Sequence, residues 1–329
     1  MKSIIYSCPY VPAEWIAAHG LQPSRIVPDA ANSAAVLVRR EGVCPYVRAF
    51  VGEAVMCKQA GAVVVTTVCD QMRRAFDVLV RQSKLPAFLM NVPSMWQTVA
   101  SQRLYMDELK RLGRFLVRLG GRSPSPNDLA KVMLEYDTAR ASVRAARGSW
   151  SSRRYSEAIT EFGRTGKCVI TETRVESDLH TAGTPLAILG GPLLGQDFEL
   201  FDMVDASGGL VVLDATETGE RGICAPFDRR TVREQPLIEL TSAYFGGIQD
   251  PSRRPNSGLY HWLRHKLSDR AVRGIILRRY VWCDMWHAEA QRLKEWVGLP
   301  VLDIDSTGHY QTEKERWANR IPAFLEMLQ

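Results

Sequence analysis

Two stretches of the chain place a cysteine shortly after a predicted buried strand. The apolar run 61–65 leads to Cys69, and the run 274–277 leads to Cys283. Aliphatic runs of this kind are typical of parallel strands covered by helices, and Asp70 is predicted to cap the helix that follows the first of them. Because open α/β sheets bind ligands at the carboxyl ends of their strands, thiolates at these positions could hold a metal centre.

The spacing beyond these cysteines also repeats. A Leu-Pro pair follows each cysteine after the same interval, and a Gln-Thr pair follows each Leu-Pro pair after the same further interval. The pairs are Leu85-Pro86 and Leu299-Pro300, then Gln97-Thr98 and Gln311-Thr312. Several matches in one register predict a duplicated half.

The other cysteines give weaker signals. The total of seven is odd and no CxxC occurs, so neither a disulfide framework, a zinc ribbon nor a thioredoxin site is indicated. Cys44 lies at a predicted helix amino terminus, where partial positive charge favours a thiolate, although a small buried apolar residue is the alternative. Cys8 follows a predicted strand and is the reserve candidate for a ligand. The remaining three have no placement argument: Cys57, Cys168 and Cys224.

The predicted elements give an α/β fold. Strands are predicted at 3–7, 24–28, 61–65 and 87–92, and again at 186–189, 210–213, 274–277 and 301–305. Amphipathic helices are predicted at 105–119, 125–148 and 155–162, with a linker at 180–185. We therefore expect two similar open parallel-sheet halves, flavodoxin- or Rossmann-like, joined by an all-helical segment. The predicted boundaries are 1–94 for the first half, 95–182 for the helical connector and 183–329 for the second half.

Composition indicates an ordinary soluble protein. The 329 residues are 46% hydrophobic and 24% charged, and no apolar run approaches the roughly 18 residues of a membrane span. The first residues lead directly into a predicted strand rather than a signal peptide, so a cytoplasmic location is expected. The net charge of +6 comes from scattered arginines, which argues against a nucleic-acid groove. The arginines form either a solvated surface or contacts to a phosphate-bearing ligand or an acidic partner.

Common catalytic motifs are absent from the sequence. Neither GxSxG nor HExxH occurs, so hydrolase and zincin chemistry are not indicated. His309 falls in the loop after the last predicted strand. It is a candidate site residue because that loop belongs to the carboxyl edge of a sheet.

Three segments resemble a known family. The segments 8–14 (CPYVPAE), 66–74 (TTVCDQMRR) and 319–328 (NRIPAFLEML) occur in the order in which the family has its motifs. The chain therefore resembles the 2-hydroxyacyl-CoA dehydratase and benzoyl-CoA reductase family of iron-sulfur proteins, and the resemblance covers both predicted α/β halves.

The resemblance implies a 4Fe-4S cluster held by Cys44, Cys69 and Cys283, with the fourth iron open to water or substrate. It also implies a separate ATP-dependent iron-sulfur activator that delivers one low-potential electron under anaerobic conditions. This expectation agrees with the lack of a Walker motif here. In the dehydratases, which are lyases, the electron turns a 2-hydroxyacyl-CoA thioester into a ketyl radical that expels hydroxide. In the reductases, which are oxidoreductases, related radical chemistry reduces an aromatic CoA thioester.

The chain departs from one branch of the family. That branch holds a double-cubane cluster with additional cysteines in an Asp-Glu-Thr-Cys-Thr-Gly motif and an Ile-Pro-Cys motif. Here Glu217 stands at the cysteine position of the first motif, and the segment 247–251 aligned with the second has no cysteine. We expect one simple cluster. Glu217 either faces the open iron as a catalytic group or is a surface carboxylate.

Three functions are consistent with this reading. The chain is an enzyme subunit that binds an acyl-CoA substrate at the cluster, a partner subunit whose cluster relays electrons, or a cluster-free regulatory relative. The first two imply a homologous second subunit or a homodimer, together with the activator protein.

Overall fold

The structure is a computed structural model that describes residues 3–31, 42–168 and 182–329. The first two residues of the predicted linker at 180–185, and the end of the predicted helical connector, lie outside these ranges. Eight strands are present in the described residues. They are β1 Ser3–Tyr6, β2 Gln22–Arg25, β3 Ala60–Thr66, β4 Ala87–Met90, β5 Thr184–Gly190, β6 Gly209–Ala215, β7 Gly274–Tyr280 and β8 Val301–Ser306.

Helices follow or connect these strands. The first six are α1 Ala13–Ala18, α2 Pro45–Met56, α3 Asp70–Gln82, α4 Val99–Arg118, α5 Pro126–Ala145 and α6 Ser152–Thr165. The remaining six are α7 Glu199–Ala206, α8 Arg229–Glu234, α9 Pro236–Thr241, α10 Ser257–Asp269, α11 Asp284–Val297 and α12 Tyr310–Leu328.

The strands form two four-stranded sheets with the same topology. The orders are β2-β1-β3-β4 and β6-β5-β7-β8, and all the strand pairs are parallel. The prediction of an α/β fold with two similar parallel-sheet halves is confirmed. In each sheet the strand order reverses between the first and third strands, which is the position where doubly wound folds bind ligands.

Each sheet is buried on both faces, as its apolar strands require. In β3, Val64 faces the cluster that includes α1 and α4, whereas Val63 and Val65 face the cluster that includes α2 and α3. In β5, Ile188 packs with α7 and α12, whereas Leu189 packs with α10 and α11. The alternation arises because successive side chains of a strand point to opposite faces.

The helices between the two sheets join the halves. Helix α6 packs against β2 and against β6, which are outer strands of the two sheets, and it thereby shields both edges from pairing with other chains. Glu14 on α1 is fully buried and pairs with Arg140 on α5. The Tyr244 hydroxyl, from the second half of the sequence, donates to the other oxygen of Glu14 at 2.6 Å.

Two local predictions were wrong. The second strand was expected at 24–28, but β2 is Gln22–Arg25 because it pairs along β1, whose last residue, Tyr6, pairs with Arg25. Asp70 was expected to cap α3. The cap is Cys69, whose sulfur accepts a hydrogen bond from the Met72 N–H at 3.4 Å.

Arg140→Met should destabilise the protein by about 3–5 kcal/mol, because it leaves the buried carboxylate of Glu14 without its cation. Arg164→Met is the matched control, since Arg164 and its partner Glu161 are both solvent-accessible and such pairs contribute at most about 1 kcal/mol. Urea denaturation measures both changes. Equal effects of the two substitutions would contradict a structural role for the buried pair.

Candidate functional site

A cavity of about 560 Å³ lies where the carboxyl ends of the two sheets meet. Its walls come from the segments after β1, β3, β5 and β7, the strands on either side of the two reversal points. These segments contribute Ser7, Cys8, Cys69, Gly191, Pro192 and Cys283. Both ligand-binding positions of the duplicated fold therefore face one shared space.

Cys44, Cys69 and Cys283 all line this cavity. Each is the residue that precedes a helix: Cys44 before α2, Cys69 before α3 and Cys283 before α11. Cys69 and Cys283 are also the third residues after β3 and β7, so the repeat seen in the sequence is a repeat in space. The partial positive charge of three helix amino termini is thus directed towards the thiols and favours thiolates there.

Burial favours the neutral thiols and so opposes the effect of the helix amino termini. Burial raises the pKa of Cys69 and of Cys44, and it raises the pKa of Cys283 to about 12. After burial, the backbone N–H groups of Met72 and Trp286 lower the pKa of Cys69 and Cys283 respectively, while the neighbouring Cys44 raises both. Three thiolates so close together need a bound cation in order to lose their protons.

Cysteine thiols are the donor chemistry that an iron-sulfur cluster takes. Across the three ranges that the structure describes, no three His, Cys, Asp or Glu side chains converge closely enough to bind one metal ion. In a cubane each thiolate binds a different iron, so the thiols must surround a space rather than meet at a point. Cys44, Cys69 and Cys283 line one cavity, and all three pack in or against one apolar cluster that also contains Leu194 and Tyr280.

Glu217, which follows β6, lines the same cavity and is largely buried. Burial, followed by the negative charge of Asp250, raises the pKa of Glu217 to about 7, while Arg25 and Arg221 lower it. Arg221 itself pairs with Asp250 at 2.8 Å. Glu217 is therefore a cavity carboxyl that can exchange a proton near neutral pH.

His309 lies elsewhere. It precedes α12, its side chain is exposed, and it is not among the residues that line the cavity. The structure thus brings four of the five predicted site residues together and leaves His309 apart.

The cavity also contains residues that the sequence did not single out. Asp250 lies in the segment 247–251 and Thr66 begins the segment 66–74, both compared with family motifs in the sequence, but neither residue was predicted to belong to the site, and nor was Tyr46. Cys8, the reserve candidate, is buried on the cavity wall, and burial raises its pKa to about 12. The position of Cys8 after a predicted strand was the signal that made it a candidate.

These features define an α/β protein with two doubly wound halves whose ligand-binding edges share one cysteine-lined cavity. The family model described as 2-hydroxyglutaryl-CoA dehydratase, D-component, matches residues 8–328, and the chain belongs to that family. It is therefore a dehydratase-type component, and the name of the family implies a further component. No curated protein matches the sequence. Within the described ranges, none of the helices combines the length and apolarity needed to cross a membrane.

Glu217→Gln should change how stability depends on pH. The pKa of Glu217 is raised from 4.5 to about 7 in the folded chain, so the native state binds the proton more tightly than the unfolded state does. The free energy of unfolding therefore falls as the pH rises from about 4.5 through 7, by up to about 3 kcal/mol. Urea denaturation of the metal-free chain between pH 5 and 8 should show this loss in the native sequence and not in the variant. Glu135→Gln, at an exposed helical position, is the control; parallel curves for the native chain and Glu217→Gln would contradict the assignment.

Proposed function

We propose that the chain is the iron-sulfur subunit of a 2-hydroxyacyl-CoA dehydratase-like or acyl-CoA reductase-like enzyme, with a 4Fe-4S cluster held by Cys44, Cys69 and Cys283. The observation that carries the proposal is that three cysteines, each at a helix amino terminus and drawn from both halves, line one cavity. Membership of the dehydratase family supports the same reaction class.

When bound, such a cluster supplies one-electron reduction and an iron position that is open to an oxygen ligand. The residues of the chain prepare the space for it. The helix amino termini offset the charge of the thiolates, and the Met72 N–H fixes the sulfur of Cys69. The apolar cluster around Cys44 limits the access of water, which strengthens electrostatic interactions inside the cavity.

Glu217 is proposed as the acid-base group. Its carboxyl lines the cavity and has a pKa of about 7, which suits a group that must hold a proton and release it near neutral pH. In a dehydration it would donate the proton that lets hydroxide leave as water. His309 remains a second catalytic candidate from the sequence. Because its side chain is exposed and does not line the cavity, it would have to act from outside the cavity.

The electron is proposed to come from an ATP-dependent iron-sulfur activator, and the second component to be a homologous subunit or a second copy of the chain. Substrate is proposed to enter as an acyl-CoA thioester. Arg73 and Arg254 line the cavity, where their guanidinium groups could bind CoA phosphates.

A cluster-free regulatory role is the second candidate. It is favoured by the packing of Cys44, Cys69 and Cys283 in or against an apolar cluster, since neutral buried thiols behave as small apolar residues. Iron content separates the two candidates.

The anaerobically purified chain should contain about four iron and four sulfide per chain, as a 4Fe-4S cluster requires. Cys44→Ala, Cys69→Ala and Cys283→Ala should each lose most of the iron and the charge-transfer absorbance, because each removes one of three ligands. Cys57→Ala is the control, since Cys57 is a half-buried cysteine that does not line the cavity. Full iron content in Cys69→Ala or Cys283→Ala would refute the ligand assignment, and a native chain without iron would favour the cluster-free role.

Binding of an acyl-CoA to this chain should slow amide hydrogen exchange in the segments after β3 and β7, because both segments line the cavity. Exchange measured by mass spectrometry with and without butyryl-CoA tests this, and the exposed amino-terminal turns of α5, far along the chain from the cavity segments, serve as the internal reference. A cluster-containing chain without protection would instead support the electron-relay subunit, whose partner binds the substrate.

A further inference from the structure

One wall of the cavity carries two hydroxyl groups that lack hydrogen-bond partners in the described part of the chain. Tyr46, the second residue of α2, is 4% exposed, and Thr66, the last residue of β3, is fully buried. The hydroxyl oxygens of both have no partner there, and both residues line the cavity. Because a buried hydroxyl without a partner costs free energy, this pair indicates a ligand group that accepts hydrogen bonds.

The two hydroxyls belong to one wall. The Tyr46 hydroxyl lies near Ser7, and the Thr66 hydroxyl lies near the Cys8 thiol, but neither contact reaches the geometry of a hydrogen bond. Ser7 and Cys8 follow β1, and Thr66 ends β3, so the wall is the reversal point of the first sheet.

Arg25 holds this wall against the second half. Its Nε donates to the carbonyl oxygen of Ser7 at 2.7 Å, and its Nη2 donates to the carbonyl oxygen of Glu217 at 2.8 Å. Its Nη1 also donates to the carbonyl oxygen of Gly222 at 3.5 Å, and its Nη2 lies 3.9 Å from Glu217 Oε1, so this cation binds acceptors from both halves. The hydroxyl pair is thus kept at a fixed position relative to Glu217.

The charges near the wall select the kind of acceptor. Glu217 and Asp250 line the cavity and are already paired with Arg25 and Arg221 respectively, so an anionic ligand group would have to compete with these carboxylates for their cations. A neutral carbonyl oxygen can accept hydrogen bonds from both hydroxyls without that cost.

We propose that the Tyr46 and Thr66 hydroxyls form a subsite that donates hydrogen bonds to the carbonyl oxygen of a CoA thioester. This inference rests on the proposed function and adds the residues that recognise the acyl group. Such donors also stabilise negative charge that develops on that oxygen during reduction.

The test compares butyryl-CoA with S-butyl-CoA, a thioether that lacks the carbonyl oxygen, by calorimetry on the anaerobically purified full chain. Two hydrogen bonds of ordinary strength should make the native chain prefer the thioester by roughly tenfold or more. Tyr46→Phe and Thr66→Val should each reduce this preference, and the double variant should abolish it while still binding the thioether.

Two substitutions of the same chemistry outside the cavity, Tyr136→Phe and Thr138→Val, are the controls; the Thr138 hydroxyl already donates to the carbonyl oxygen of Leu134. An unchanged preference in the double variant overturns the inference and leaves thioester binding, and hence the proposed function, intact. Failure of the native chain to bind either compound overturns the inference together with substrate binding by this chain, and favours the electron-relay subunit. If the double variant loses its iron-sulfur absorbance as well as its preference for the thioester, the two hydroxyls act by supporting the cysteine ligands. That outcome also overturns the inference.

Discussion

The site depends on holding two separate parallel sheets with their carboxyl edges towards each other. The first half contributes Cys8, Cys44 and Cys69 to the cavity lining and the second half contributes Cys283, so the four thiols share one space because both halves border it. The facing arrangement is maintained by contacts that cross between the halves. Arg25 bonds backbone oxygens of both halves at the cavity wall, and α6 packs on the outer strands of both sheets.

The same arrangement explains what favours and what opposes ionisation of the three thiols. Parallel sheets direct the amino termini of the following helices towards the carboxyl edge, so the three cysteines receive the positive ends of α2, α3 and α11. The walls that enclose them also remove water and raise the pKa of each thiol. The fold thus provides a place where thiolates are costly alone and stable once cations bind, which is the behaviour expected of cluster ligands.

Glu217 and Asp250 add a second kind of chemistry to the same space. Burial and then the negative charge of Asp250 raise the pKa of Glu217 to about 7, while Arg221 pairs with Asp250. The duplicated fold has therefore placed cysteine thiols and, after β6, a titratable carboxyl in the lining of one cavity. Reduction and proton transfer could then occur within one enclosure.

The sequence by itself determined the two parallel sheets, because apolar β-branched runs and their repeated spacing depend only on local residue order. It also determined that Cys69 and Cys283 follow strands and that Cys44 begins a helix. Only the tertiary structure decided that these cysteines share a cavity with Glu217 and that His309 does not line it, because such proximity depends on how the halves pack. It also decided which residue caps α3 and which residues form the buried wall of the cavity. Cys69 caps the helix in place of Asp70, and Tyr46 and Thr66 line the cavity together with Cys8, since a shared cavity arises from contacts between segments far apart in the chain.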